Sequence, residues 1–267
     1  MLETLDRINI GNLNLTEPIQ PEVLFDPDKE VSDIYWDKVI KALSSKQGLE
    51  SYRIGQMAVH LKLTSLRRYD QLGVARYFIE KILTNKIEKN RANTNFIGVS
   101  EVDAACLKIL SPDKYWQFNF QTDEFELLRY RVHRPQNGDS FYGLGFDAFH
   151  FRVLFPNERL FFSDNVWEYM INDFKEGKYV KGHVLAQTKI MFPDRFEELA
   201  YSMRDLRNEL KGTQVRDYYT EDFLDQAFSM KVLAAREVKF TDQGVELVVS
   251  KPPFTEQTPA LPEMRKF

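Results

Sequence analysis

Three residues of this chain have the types needed for acyl transfer: Ser100, His150 and Asp164. A hydroxyl attacks a carbonyl only when a base takes its proton, and an imidazole does this best when a carboxylate orients it. A second constellation is cationic. Arg129, Arg131 and His133 alternate with Tyr130 and Val132, and His150 and Arg152 alternate with Phe149, Phe151 and Val153. Lys181, His183 and Lys189 likewise oppose Val180, Val184 and Ile190. On β-strands a period of two puts each set on one face. The expectation is a cationic sheet face on which Arg129, Arg131, His133, Arg152 and His183 hold a phosphate, a carboxylate or an acidic partner. The plainer reading of the same pattern is a solvated outer face, the ordinary condition of antiparallel sheets.

The order of the three acyl-transfer residues, with a nucleophile at a helix start, His on a strand and Asp after the following turn, resembles the transglutaminase-like cysteine proteases over residues 95–165. Ser100 stands where that family carries its cysteine. Helix capping accounts equally for Ser100 and Asp164. Residues 52–58 followed by 66–73 are similar to the start of a MerR-type winged helix. Residues 60–64 lack the glycine-containing turn such a motif needs, so two ordinary core helices are expected there. His133, Asp147, His150 and His183 are metal-ligand types, yet no two are spaced to share a face, and no metal is predicted. No phosphate loop, dinucleotide fingerprint or nucleophile elbow occurs, and no cofactor is predicted.

The elements that must position these residues fall into two parts. Residues 1–30 read as an extended arm, since Pro18, Pro21 and Pro27 disfavour helix. Residues 31–111 read as helical. Helices are expected from Ser32 to about Lys46, from about 50 to 63 and from about 66 to 89. A fourth, through Leu110, opens on the cap at Ser100 and Asp103. In the third, Leu72, Ala75, Tyr77, Phe78, Ile79 and Ile82 form a broad apolar stripe. From Pro112 to residue 250 the pattern turns β-rich. Segments 115–120, 125–133, 141–155 and 160–162 are expected as an antiparallel meander, and 179–191 as a further strand. Helices follow at 164–174, after Pro193 and at 221–235. A hairpin is expected around residues 241–244, and 251–267 is a Pro-rich tail. The fold class predicted is α+β: a helical N-terminal part, then a central antiparallel sheet with C-terminal helices packed on its aromatic face.

Residues 115–169 hold 16 of the 36 aromatic residues in 55 positions, which marks the core. The chain has 267 residues, 43% hydrophobic and 28% charged, as globular proteins do. No apolar run is long enough to span a bilayer. A single cysteine, Cys106, excludes an internal disulfide, and with no signal-peptide pattern the cytoplasm is the expected location. A net charge of −4 argues against nucleic acid as the main partner. The first expectation for function is a binding or assembly protein that engages a protein partner, or itself, through its terminal arms and cationic face. An anionic small molecule is a further candidate ligand. The alternative is a small-molecule enzyme with an acid–base or acyl-transfer site centred on His150.

Overall fold

The structure is a computed structural model that describes residues 33–92, 100–133, 141–160, 162–176, 181–196 and 220–249. The described chain is predominantly helical, which corrects the α+β expectation. Its helices are α1 (Asp33–Ser44), α2 (Lys46–Glu50), α3 (Ile54–Thr64), α4 (Leu66–Asp70), α5 (Val74–Ala92) and α6 (Glu101–Leu110). They continue as α7 (Pro112–Gln117), a 3-10 turn (Thr122–Phe125), α8 (Glu126–His133), α9 (Phe141–Leu154), α10 (Asp164–Glu176), α11 (Lys181–Met191) and α12 (Thr220–Ala234). Strands β1 (Ala235–Thr241) and β2 (Gly244–Val249) follow, and they are the only strands among the described residues. None of the described helices is long and apolar enough to cross a membrane. The arm at 1–30, the tail at 251–267 and most of the helix expected after Pro193 lie outside the described residues.

The N-terminal part is helical as expected, although the helix expected from 66 to 89 is two, α4 and α5. Ser100 caps α6 by accepting from the Asp103 N–H at 3.4 Å. Pro112 then opens α7 rather than ending the helical part. Gly73, at φ 52°, separates α4 from α5 in a left-handed conformation that suits glycine. The expected hairpin also forms, with Thr241 pairing Gly244 across the turn. Gly244 adopts φ 121°, and a Cβ there would sit 3.4 Å from the Ile109 Cα.

The meander does not form. Segment 125–133 is the end of the 3-10 turn plus α8, segment 141–155 is α9, and 179–191 is α11 from Lys181 onward. Phe125, Leu128 and Val132 are the buried residues of their segment, and their spacing of three and four belongs to a helix. In α9, Leu144, Ala148, Phe149, His150, Phe151, Val153 and Leu154 are all buried, so the helix is wrapped on nearly every side. Such a helix has no polar stripe, and its local alternation imitates a strand. The aromatic residues nevertheless serve as core: Phe125, Phe149 and Phe151 are buried, with Phe118, Phe120, Phe155 and Phe162 packed against the cluster.

Three enclosed helices make the centre. In α6 every residue from Ala104 to Leu110 is buried, and α3, α5, α7 and α9 all pack on it. α12 lies across α3 and α11, and the hairpin returns over α6 and α9. Enclosed helix ends must satisfy their terminal carbonyls, and long cations from neighbouring helices reach in to do so. The Lys62 Nζ donates to the Ile109 carbonyl at 2.7 Å, at the end of α6. The Arg152 Nη1 donates to the Ile190 carbonyl at 2.8 Å near the end of α11, and the Lys189 Nζ donates to the Leu233 and Ala235 carbonyls at the end of α12.

Candidate functional site

Helix α3 and the residue before it present Arg53 and His60, seven positions and so two turns apart, on one face. Both reach Asp225 on α12. The Arg53 Nη2 donates to Oδ2 at 2.8 Å, and the His60 Nδ1 lies 2.7 Å from Oδ1. Burial alone would raise the Asp225 carboxyl. The hydrogen bond and charge of His60, with those of Arg53, outweigh it and hold the group down to about 2. An ionised carboxylate only accepts, so the His60 Nδ1 is the donor and Nε2 is left as the ring's second polar atom. The ring stacks on Phe228 at 4.5 Å and 5°. Beside it is a cavity of about 40 Å³, lined by His60, Gly145, Phe146, Phe149, Gln187 and Phe228 among others. A Cβ on Gly145 would fall 2.8 Å from the Gln187 side chain, so the glycine is what admits that amide.

His150 lies deeper. Its ring meets Phe146 edge-on at 4.3 Å, and its Nδ1 has no hydrogen-bond partner among the described residues. Burial, then the charges of His60 and Arg131, push its pKa down to about 3. The ring is therefore neutral at pH 7 and a weak base. Asp164 is exposed at the start of α10, where it pairs with Arg195 at 2.6 Å. Ser100 serves its own helix as a cap. These three residues thus have separate local surroundings: a buried aromatic nest, a surface ion pair and a helix start.

The cations expected on one sheet face are distributed over three helices, where residues two apart no longer share a side. Arg129 pairs with Glu158 at 2.8 Å, and Arg131 pairs with Asp147 at 2.7 Å and with Glu101 at 3.6 Å. His133 stands edge-on to Phe151 at 5.3 Å. Arg152 caps α11 and lies over the Phe240 ring at 4.4 Å. His183 belongs to α11, and its side chain lies outside the described residues.

A surface groove lies between α5 and α7. Its volume is about 860 Å³, and one stripe of α5 forms its floor: Tyr77, Lys81, Thr84, Glu88 and Arg91, at the spacing of a single helix face. Lys114, Gln117 and Phe118 form the facing wall. Lys114 pairs with Glu80 at 2.6 Å, and Arg91 holds both Glu124 oxygens at 2.7 Å. Lys81 has no ion-pair partner among the described residues. Tyr77 in the lining is 57% exposed, carries the Lys114 ammonium over its ring and meets the exposed Phe78 at 5.8 Å, so apolar surface adjoins a cation. The broad apolar stripe expected on α5 is in fact narrow: Ala75, Ile79, Leu83 and Ile87 are buried, while Tyr77 and Phe78 face outward. The regular spacing of four in that buried set is the signal that separates the two classes.

Neither a family model, nor a curated protein, nor a solved structure matches the chain.

Proposed function

We propose that the protein works by binding, taking an acidic segment of a protein partner in the α5–α7 groove. The observation that carries this reading is the single α5 stripe that sets Tyr77, Lys81 and Arg91 opposite Lys114 and Phe118. Aromatic residues and arginine supply most of the energy at protein interfaces, and exposed apolar patches beside charges mark such places. A volume of about 860 Å³ suits a few side chains of an extended or helical segment. Among the described residues no carboxylate holds the Lys81 ammonium, while Arg91 and Lys114 are already held by Glu124 and Glu80.

The His60, Asp225 and Arg53 cluster is a second concentration of titratable groups among the described residues. Its cavity of about 40 Å³ has room for a water or two rather than a substrate, which supports a role in tying α3 to α12. A cytoplasmic setting accords with the proposal and is supported by the lone, buried Cys106.

The test is a photo-crosslinking residue at Gln117, on the groove wall, with a second at Glu246 on the hairpin as control. In cells expressing the protein, a discrete adduct with another protein is expected from Gln117 and not from Glu246. The adduct should vanish with Lys81→Glu. Equal adducts from both positions, or none from Gln117, would defeat the reading.

A further inference from the structure

On the premise that the groove is a binding surface, we infer that the partner segment is a helix with an acidic residue for Lys81 and, seven positions from it, a basic residue for Glu88. Both side chains are exposed, both line the groove, and neither is ion-paired among the described residues. The other two cations of the lining differ, since Arg91 is held by Glu124 and Lys114 by Glu80. Recognition by charge therefore falls to one ammonium and one carboxylate. A segment acidic throughout would meet Glu88 with a like charge.

The spacing selects a helix. Lys81 and Glu88 are two turns apart on α5, roughly 10.5 Å along its axis. A strand covers that distance in about three residues, and residues three apart on a strand point to opposite faces. Residues two or four apart share a face, but they span about 7 Å or about 14 Å. On a helix lying along α5, seven residues cover the same rise and stay on one side. The stripe itself has the matching period. Tyr77, Lys81, Thr84, Glu88 and Arg91 follow at intervals of four, three, four and three, the alternation along which one helix follows another. Aromatic rings stand at both ends, Tyr77 under the Lys114 ammonium at 5.5 Å and Phe118 under the Arg91 guanidinium at 5.5 Å. Helix-in-groove recognition uses such a row of anchors on one face, and about four turns of partner would fill it.

Charge exchange in the full-length protein tests this, with the photo-crosslinker at Gln117 in cells. Glu88→Lys should cut the partner adduct about tenfold and Glu88→Gln about threefold. Both variants should melt with the native chain, because the side chain is exposed. A segment acidic throughout would instead be held more tightly by Glu88→Lys. Mass spectrometry of the digested adduct locates the trapped segment. Changing its basic residues to Glu one at a time should restore the Glu88→Lys adduct at a single position. That position should lie seven residues from the acidic one whose change to Lys restores the Lys81→Glu adduct. A spacing of two or four would assign an extended segment, and an adduct of the chain with itself would assign a second copy; either overturns the inference. A Glu88→Lys adduct as strong as the native one, or stronger, does the same. If Lys81→Glu still abolished the adduct in those cases, the groove would remain a site for an acidic segment and only the helix would fall. An adduct indifferent to both positions would sink both readings.

Discussion

The His60 Nδ1 and the Asp225 Oδ1 lie 2.7 Å apart and join α3 to α12 across 165 positions of sequence. Arg53 binds the other oxygen of the same carboxylate at 2.8 Å, so a single buried acid holds two bases from one helix face. Removing it would leave the enclosed His60 ring without this partner and the Arg53 guanidinium without its carboxylate, and such losses cost about 3–5 kcal/mol. Asp225→Ala should therefore lower the unfolding free energy by about that amount in urea titrations at pH 7. A loss below about 1 kcal/mol would mean that the cluster is not a tie between the helices.

The same carboxylate sets an acid limb. Its folded pKa of about 2 lies below the ordinary 3.8, so the unfolded chain takes up the proton first. The stability it contributes is complete above about pH 4 and is lost as pH falls through about 2, roughly 2 kcal/mol in all. Asp225→Asn should flatten the stability profile between pH 4 and 2. An unchanged slope in that window would contradict the assignment.

His150 acts in a different window and through its unfolded state. Its folded pKa of about 3 lies below the ordinary 6.5, so between these values only the unfolded chain binds the proton. Stability is then full above about pH 6.5 and falls with decreasing pH, by at most about 1.4 kcal/mol per pH unit. His150→Leu removes the titration and breaks no hydrogen bond at Nδ1. The variant should be less sensitive than the native chain between pH 6 and 4. Equal sensitivity would place the ring in water.

The legible parts of this fold were those with local punctuation. Ser100 and Pro112 bracket α6, and the turn at residues 241–244 marks the hairpin; both stand where the sequence puts them. α9 was illegible for a physical reason. Phe149, Phe151 and Val153 alternate with His150 and Arg152, which on a half-buried element means a strand. In α9 His150 is buried too, and Arg152 escapes alternation by reaching the Ile190 carbonyl. The His60–Asp225 pair leaves only a faint local trace, a charged residue among the buried Leu224, Ala227 and Phe228 of α12. The groove was hidden by composition, since Tyr77 and Phe78 look like core until the spacing of Ala75, Ile79, Leu83 and Ile87 is followed.

Close packing beside the cavity gives a test that does not depend on charge. A Cβ on Gly145 would lie 2.8 Å from Cβ, Cγ and Cδ of Gln187, and the near end of that side chain cannot swing away. Gly145→Ala should destabilise by about 1–3 kcal/mol, despite the better helix propensity of alanine. Gln187→Ala in the same background should recover part of the loss, because the clashes with Cγ and Cδ go while the one with Cβ stays. A double-mutant cycle with no coupling would place the two helices further apart than their described packing.

The groove makes the functional prediction. Tyr77 is more than half exposed on α5, meets Phe78 at 5.8 Å and lies beneath the Lys114 ammonium at 5.5 Å. Truncating so exposed a residue should change folding stability by no more than about 0.5 kcal/mol. As the aromatic anchor of an interface it should cost far more in binding, about 1–2 kcal/mol or some tenfold in affinity. Tyr77→Ala should thus cut the partner adduct at Gln117 about tenfold, while Lys89→Ala, outside the groove lining, leaves it unchanged. Both variants should melt with the native chain. If Tyr77→Ala spares the adduct, or if Lys89→Ala reduces it equally, the groove is not the recognition surface.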